Sequence, residues 1–187
     1  MKDLKKIINL TCWVFICFLL FPFTETKAQV KKMSAKDMTE VSTAVLYGKC
    51  KKIKSEWNEN RSAIYTYVTI VPEGYIKGNL GSEVVVAVPG GRVDDILVEV
   101  SETPIFIEDE EVVAFICKSP KGRNLITGGY QGKMKIETDK KTGKKMVEGM
   151  SLDDMEEDTE GHEKDSPAPV KKVSLDDFTA KVKGYMK

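Results

Sequence analysis

The sequence predicts an all-β core, a small antiparallel barrel of five strands, with an acidic linker and an amphipathic helix behind it. Three observations predict it. Apolar and polar residues alternate with period two in successive stretches between Thr43 and Thr127. Glycine- and proline-containing turns separate those stretches. No 3.6-residue apolar period intervenes between them.

The chain opens with Lys2, Lys5 and Lys6 against Asp3. An uncharged, almost wholly apolar run from Ile7 to Phe23 follows, and Glu25 and Lys27 close it. A basic start, an apolar run and small or modest residues at Thr26 and Ala28 form the pattern of a secretory signal cleaved after Ala28. At 1.5 Å per residue the run makes about 26 Å of helix, marginal for a hydrocarbon core of about 30 Å. Membrane association is therefore expected only if this segment stays uncleaved. Cys12 and Cys17 lie in mid-run behind Thr11 and Ile16, which does not suit lipid attachment. Localisation is expected to be extracytoplasmic: periplasmic, cell-surface or secreted.

Cleavage leaves 159 residues, enough for one domain with a core. Their balance, 25 basic to 27 acidic, supplies no general attraction to nucleic acid or anionic membrane. Residues 29–40 form a polar leader ending in a helical turn near Ala35–Val41. The barrel domain is expected over 41–149.

Its first strand comes from Thr43–Lys54, where Leu46, Gly48 and Cys50 share a face opposite Lys49 and Lys51. Ala63–Val71, rich in β-branched and aromatic residues, is the strongest strand. Pro72-Glu73-Gly74 bends or bulges it. Ser82–Val88 is the third strand, stopped by Pro89-Gly90-Gly91, and Ile96–Val100 is a short strand or edge segment. Val112–Cys117 is a continuous apolar run, as in a strand buried on both faces. Asn124–Thr127 follows as a shorter strand, then a hairpin of Lys133–Thr138 and Lys144–Glu148.

Eight acidic residues and one lysine lie between Asp153 and Asp165, with Pro167 and Pro169 beyond; residues 150–172 read as a disordered linker. Residues 173–187 then read as a helix with Ser174 as N-cap and Leu175, Phe178 and Val182 on one face.

Five such strands suit an OB-like barrel, whose first and fourth strands are neighbours. That order would bring Cys50 near Cys117. In an oxidising compartment two cysteines suggest a disulfide; two buried thiols packing as small apolar groups is the equal alternative.

The pattern Val45-x-x-Gly48-Lys49, Tyr65–Val68, Ile76-Lys77-Gly78, Val88-Pro89-Gly90-Gly91, Pro104, Glu110–Phe115 and Gly132-Lys133 resembles a group of exported bacterial proteins of unknown function built on an OB-like β-barrel. It is distantly similar to the netrin-like modules of tissue inhibitors of metalloproteinases. The resemblance covers about residues 41–135 and implies the barrel fold. Those inhibitors act through an N-terminal cysteine, whereas Gln29 is the expected mature N-terminus here, so the resemblance does not imply inhibition by that route.

A catalytic set does not emerge. The one histidine, His162, sits in the acidic stretch, which leaves no base for Ser-His-Asp or Cys-His chemistry. No zinc ligand set remains, the Asp153–Asp158 run lacks calcium-loop spacing, and the glycine pairs flank strands rather than helix starts. No catalytic residue, metal or cofactor is therefore expected. Trp57, Tyr65, Tyr67 and Tyr75 are the candidate binding face, on the pattern of OB-fold ligand surfaces; cross-strand packing is the plainer expectation for Tyr65 and Tyr67. The functional expectation is a non-enzymatic module that binds a protein or peptide. One alternative is a structural or envelope-associated protein docking through its acidic linker and C-terminal helix. A hydrolase using carboxylates such as Glu108–Glu111 ranks last.

Overall fold

A computed structural model describes residues 32–149 and 172–186. The expected signal segment, most of the acidic linker and His162 lie outside the described residues. Among the described residues no helix is long and apolar enough to cross a membrane.

The elements run α1 (Ala35–Val41), β1 (Ala44–Trp57), β2 (Ile64–Lys77), β3 (Val84–Pro89), β4 (Gly91–Val93), β5 (Ile96–Val98), β6 (Glu111–Lys118), β7 (Asn124–Ile126), a 3-10 turn at Gly129–Gly132, β8 (Lys133–Thr138), β9 (Lys145–Glu148), β10 (Lys172–Ser174) and α2 (Leu175–Gly184). Five strands close a barrel in the order β1-β2-β3-β7-β6, with β6 returning to β1. The OB-like barrel expected from the strand pattern is thus the fold. One joint is parallel: β3 meets β7 through Val86 and Asn124, and the Asn124 side-chain amide donates to the Val85 carbonyl at 2.9 Å.

The uninterrupted apolar run of β6 serves two cores. Val112, Ala114 and Ile116 point into the barrel with Leu46, Val68 and Ile70. Val113 and Phe115 point outward into a second core, shared with Met38 of α1, Met134 and Ile136 of β8, and Phe178 and Val182 of α2. Period-two geometry makes this division inevitable for a strand whose two faces are both covered. The polar leader and the C-terminal helix therefore belong to the same folded unit as the barrel. Ser34 and Asp37 close a capping box on α1, and Ser174 accepts from the Asp177 amide at 3.1 Å to cap α2.

β2 does not end at Pro72. It bulges there: Gly48 faces Pro72, Tyr47 faces Gly74, and Glu73 is the extra residue. The bulge presses β2 so close to β1 that a Cβ at Gly48 would overlap the Val71 carbonyl oxygen, which explains a glycine in mid-strand.

The cysteines are a correction. Both are free. β1 and β6 are neighbours, but they run antiparallel, with Ala44 opposite Ile116 and Lys49 opposite Glu111. Cys50 thus lies at one end of the pairing, its amide bonded to the Glu110 carbonyl, and Cys117 lies at the other. About seven residues of strand, roughly 23 Å, separate levels that a disulfide needs within about 7 Å. Cys50 is fully buried in the barrel, and that burial, helped by the Glu110 charge, pushes its thiol up to about 12. The expected result is that both thiols alkylate in denaturant without reductant. In the folded protein the half-buried Cys117 should react and Cys50 should not. A mass two hydrogens below the dithiol form, or rapid native labelling of Cys50, would overturn this assignment.

Candidate functional site

The chain from Pro89 to Glu110 leaves the barrel and returns to it. Proline and two glycines stop β3, as expected, but β4 starts at once and turns through Asp94-Asp95 into β5, a hairpin absent from the expectation. Gly91 is where this excursion crosses the barrel mouth: with φ +130° it lies against Ser55 and Thr66, and a Cβ there would overlap both hydroxyls. Thr66 Oγ1 donates to the Gly90 carbonyl at 2.8 Å, and the Gly90 amide donates to the Ile64 carbonyl at 2.9 Å.

Beyond β5 the chain turns at Ser101-Glu102, where Thr103 Oγ1 donates to the Val100 carbonyl at 2.8 Å. The return arm then runs through Pro104, Ile105, Phe106 and Ile107. Its far end is fixed by a largely buried ion pair: Lys133 Nζ lies 2.7 Å from Glu110 Oε1, with side chains 14% and 7% exposed. The same ammonium sits 5.5 Å from the Phe106 ring centroid, a cation–π contact.

Between these two arms and the barrel mouth lies a groove of about 530 Å³. Ile53, Ser55, Thr66 and Val68 of the barrel, Leu97–Val100 of one arm and Thr103–Phe106 of the other line it. Its lips are apolar and open to solvent. Leu97 is 50% exposed and Ile105 80%, with Val98 and Val100 exposed beside them; Ile96 and Ile107, next in the chain to lining residues, are exposed as well. Exposed apolar groups beside a cleft are a recurring feature of docking sites.

The aromatic residues singled out from sequence do not assemble into one face. Strand parity puts Tyr65 and Tyr67 on the outer surface of β2, opposite Glu56 and Lys54, and the Arg123 guanidinium stacks 4.6 Å from the Tyr65 ring. Trp57 pairs with the buried Ile64, on the opposite parity. Tyr75 lies past the bulge, packs against the barrel interior and donates to the Gly81 carbonyl at 2.7 Å. The groove residues carried only weak local signals. Ile96–Val100 looked like an ordinary short strand, and Pro104–Ile107 had no period.

The Glu108–Glu111 carboxylates are separately engaged. Glu108 accepts from the Ile53 amide, Asp109 pairs with Lys49, Glu110 with Lys133 and Glu111 with Lys145.

Fold and groove together define a class: an OB-like barrel with an apolar cleft built by an insertion between its third and fourth barrel strands. No family model matches the chain, and no curated protein matches it in sequence.

Proposed function

We propose that this protein is a non-enzymatic, exported binding module that holds an extended stretch of polypeptide in the groove between the two arms. The single observation that carries the reading is the coincidence of a preformed apolar cleft with solvent-exposed Leu97, Val98, Val100 and Ile105 in its lining. An open cleft lined mainly by apolar groups suits a chain segment better than a compact polar metabolite. The separate partners of Glu108 to Glu111 favour binding over carboxylate catalysis. Export rests on the N-terminal segment, and distant kinship to netrin-like modules rests on the residue pattern and the five-stranded closure. Docking through the C-terminal helix is disfavoured, because Phe178 and Val182 on its apolar face are already 0% exposed against the protein's own core.

The test is an array of immobilised decapeptides probed with the full chain and with Leu97→Asp/Ile105→Asp. Both substituted residues are exposed, so the fold should tolerate the change. Each buried aliphatic side chain contributes about 1.5–3 kcal/mol. The wild type should retain a subset of apolar peptides that the double variant loses by tenfold or more. A silent array, or equal binding by both proteins, overturns the reading.

A further inference from the structure

We infer that the groove's occupant is a segment in which apolar and basic residues alternate, and that it binds by adding a strand to the open edge of β5. This inference rests on the polypeptide-binding reading above and specifies its partner.

The first observation is the edge itself. Among the described residues β5 is hydrogen-bonded on one side only, to β4, with Val93 opposite Ile96, Arg92 opposite Leu97 and Gly91 opposite Val98. A two-residue turn makes its flanking residues, Val93 and Ile96, the bonded pair, and bonded and unbonded pairs then alternate. The N–H and C=O of Leu97 are therefore directed away from β4. No backbone hydrogen bond reaches them among the described residues.

The second observation explains why the edge stays open. The backbone groups of the return arm are engaged elsewhere or missing. The Glu102 carbonyl is taken by the Tyr130 amide at 2.9 Å. Pro104, buried, has no N–H to offer. The Ile107 amide donates to the Glu110 carboxylate at 3.4 Å, the oxygen left over from the Lys133 pair. The two arms share no backbone hydrogen bond, and residues of both line the groove. An unpaired apolar edge beside a cleft offers main-chain bonds for affinity and a pocket for alternate side chains.

The third observation selects the occupant. Within residues 92–102, Asp94, Asp95, Glu99 and Glu102 flank the exposed Ile96-Leu97-Val98 in sequence, and Arg92 is the one basic residue of that segment. None of the four carboxylates joins an ion pair among the described residues. A second copy pairing through the same edge would set these carboxylates against their own counterparts. The chain's Asp153–Asp165 stretch carries the same sign. A strand with lysine or arginine on one face and aliphatic residues on the other satisfies both the charge and the cleft.

The probes are three blocked decapeptides: five Val-Lys repeats, five Val-Glu repeats, and the Val-Lys peptide N-methylated at alternate residues. Affinity is measured with the full chain by titration calorimetry at low and high salt. The Val-Lys peptide should bind about tenfold or more tightly than the Val-Glu peptide, with the gap narrowing at high salt. N-methylation in the edge-facing register should cost about tenfold. Leu97→Pro should lower Val-Lys affinity to the same degree without loss of β circular dichroism, since the amide it removes bonds nothing in the protein. If that variant unfolds, the N-methylated peptide on the unaltered protein decides. Equal binding of all three peptides overturns strand addition while leaving the groove reading intact. Binding of none overturns this inference, and a silent array then removes the broader reading too. A dimer in sedimentation that Leu97→Pro dissociates overturns it in favour of self-pairing.

Discussion

Phe178→Ala is expected to destabilise the protein by about 3–5 kcal/mol, measured by urea denaturation. Phe178 is 0% exposed and meets Phe115 edge-to-face, with ring centroids 6.3 Å apart at 80°. Its loss removes a large apolar group and leaves a cavity between α2 and the outer face of β6, which cannot collapse because β6 is fixed in the barrel. A ten-residue helix has little stability of its own. α2 therefore depends on this ring, and β10, which leads directly into α2, depends on α2. Amide exchange should accelerate first over 172–184 and only later in β1 and β6. Met186→Ala, at a 41% exposed position just past the helix, should stay within about 0.5 kcal/mol of wild type. A Phe178→Ala loss under about 1.5 kcal/mol would show that the second core is dispensable.

The residues legible from sequence are those whose environment is set by their neighbours in the chain. Val112–Cys117 announces burial on both faces because no polar residue interrupts it, and β6 is the strand shared by both cores. Ser174 announces the start of α2 because a helix cap is a local hydrogen bond. The bulge at Pro72–Gly74 follows from proline's missing donor and glycine's freedom. What escaped depends on register or on distant partners. Cys50 and Cys117 sit on adjacent strands, yet adjacency says nothing about which ends meet. Tyr65, Tyr67 and Tyr75 share one parity by number, but the extra residue at Glu73 moves Tyr75 to the other side. The hairpin of β4 and β5 hid behind Pro89-Gly90-Gly91, a stop that is also a crossing. The groove was least legible of all: exposed leucine and isoleucine look like core residues in a sequence, and only the closed barrel shows that nothing covers them.

Lys133→Met is expected to cost about 3–5 kcal/mol, because it leaves the Glu110 carboxylate buried without a counter-charge. The same pair holds the return arm. Glu110 Oε1 takes Lys133, Oε2 takes the Ile107 amide, and the ammonium faces Phe106, a groove-lining ring. A matched apolar replacement, Glu110→Leu/Lys133→Met, removes both charges and should return stability to within about 1 kcal/mol of wild type. It should not return binding. The double variant lacks both the cation over Phe106 and the acceptor for the Ile107 amide, so Pro104–Ile107 loses two of the contacts that fix it. The arm is then free to swing toward the open edge and occupy the groove. Denaturation curves of both single variants and the double variant, read as a cycle, isolate the electrostatic coupling. Calorimetry with the Val-Lys decapeptide on the double variant reads the position of the arm. Stability restored and peptide affinity lost by about tenfold would separate the two roles of the pair, one in the fold and one in the cleft. A double variant as unstable as Lys133→Met would mean that the cost lies in lost packing rather than in a stranded charge. Wild-type affinity in a stable double variant would mean that the arm is held by Pro104 and the Glu102–Tyr130 bond alone.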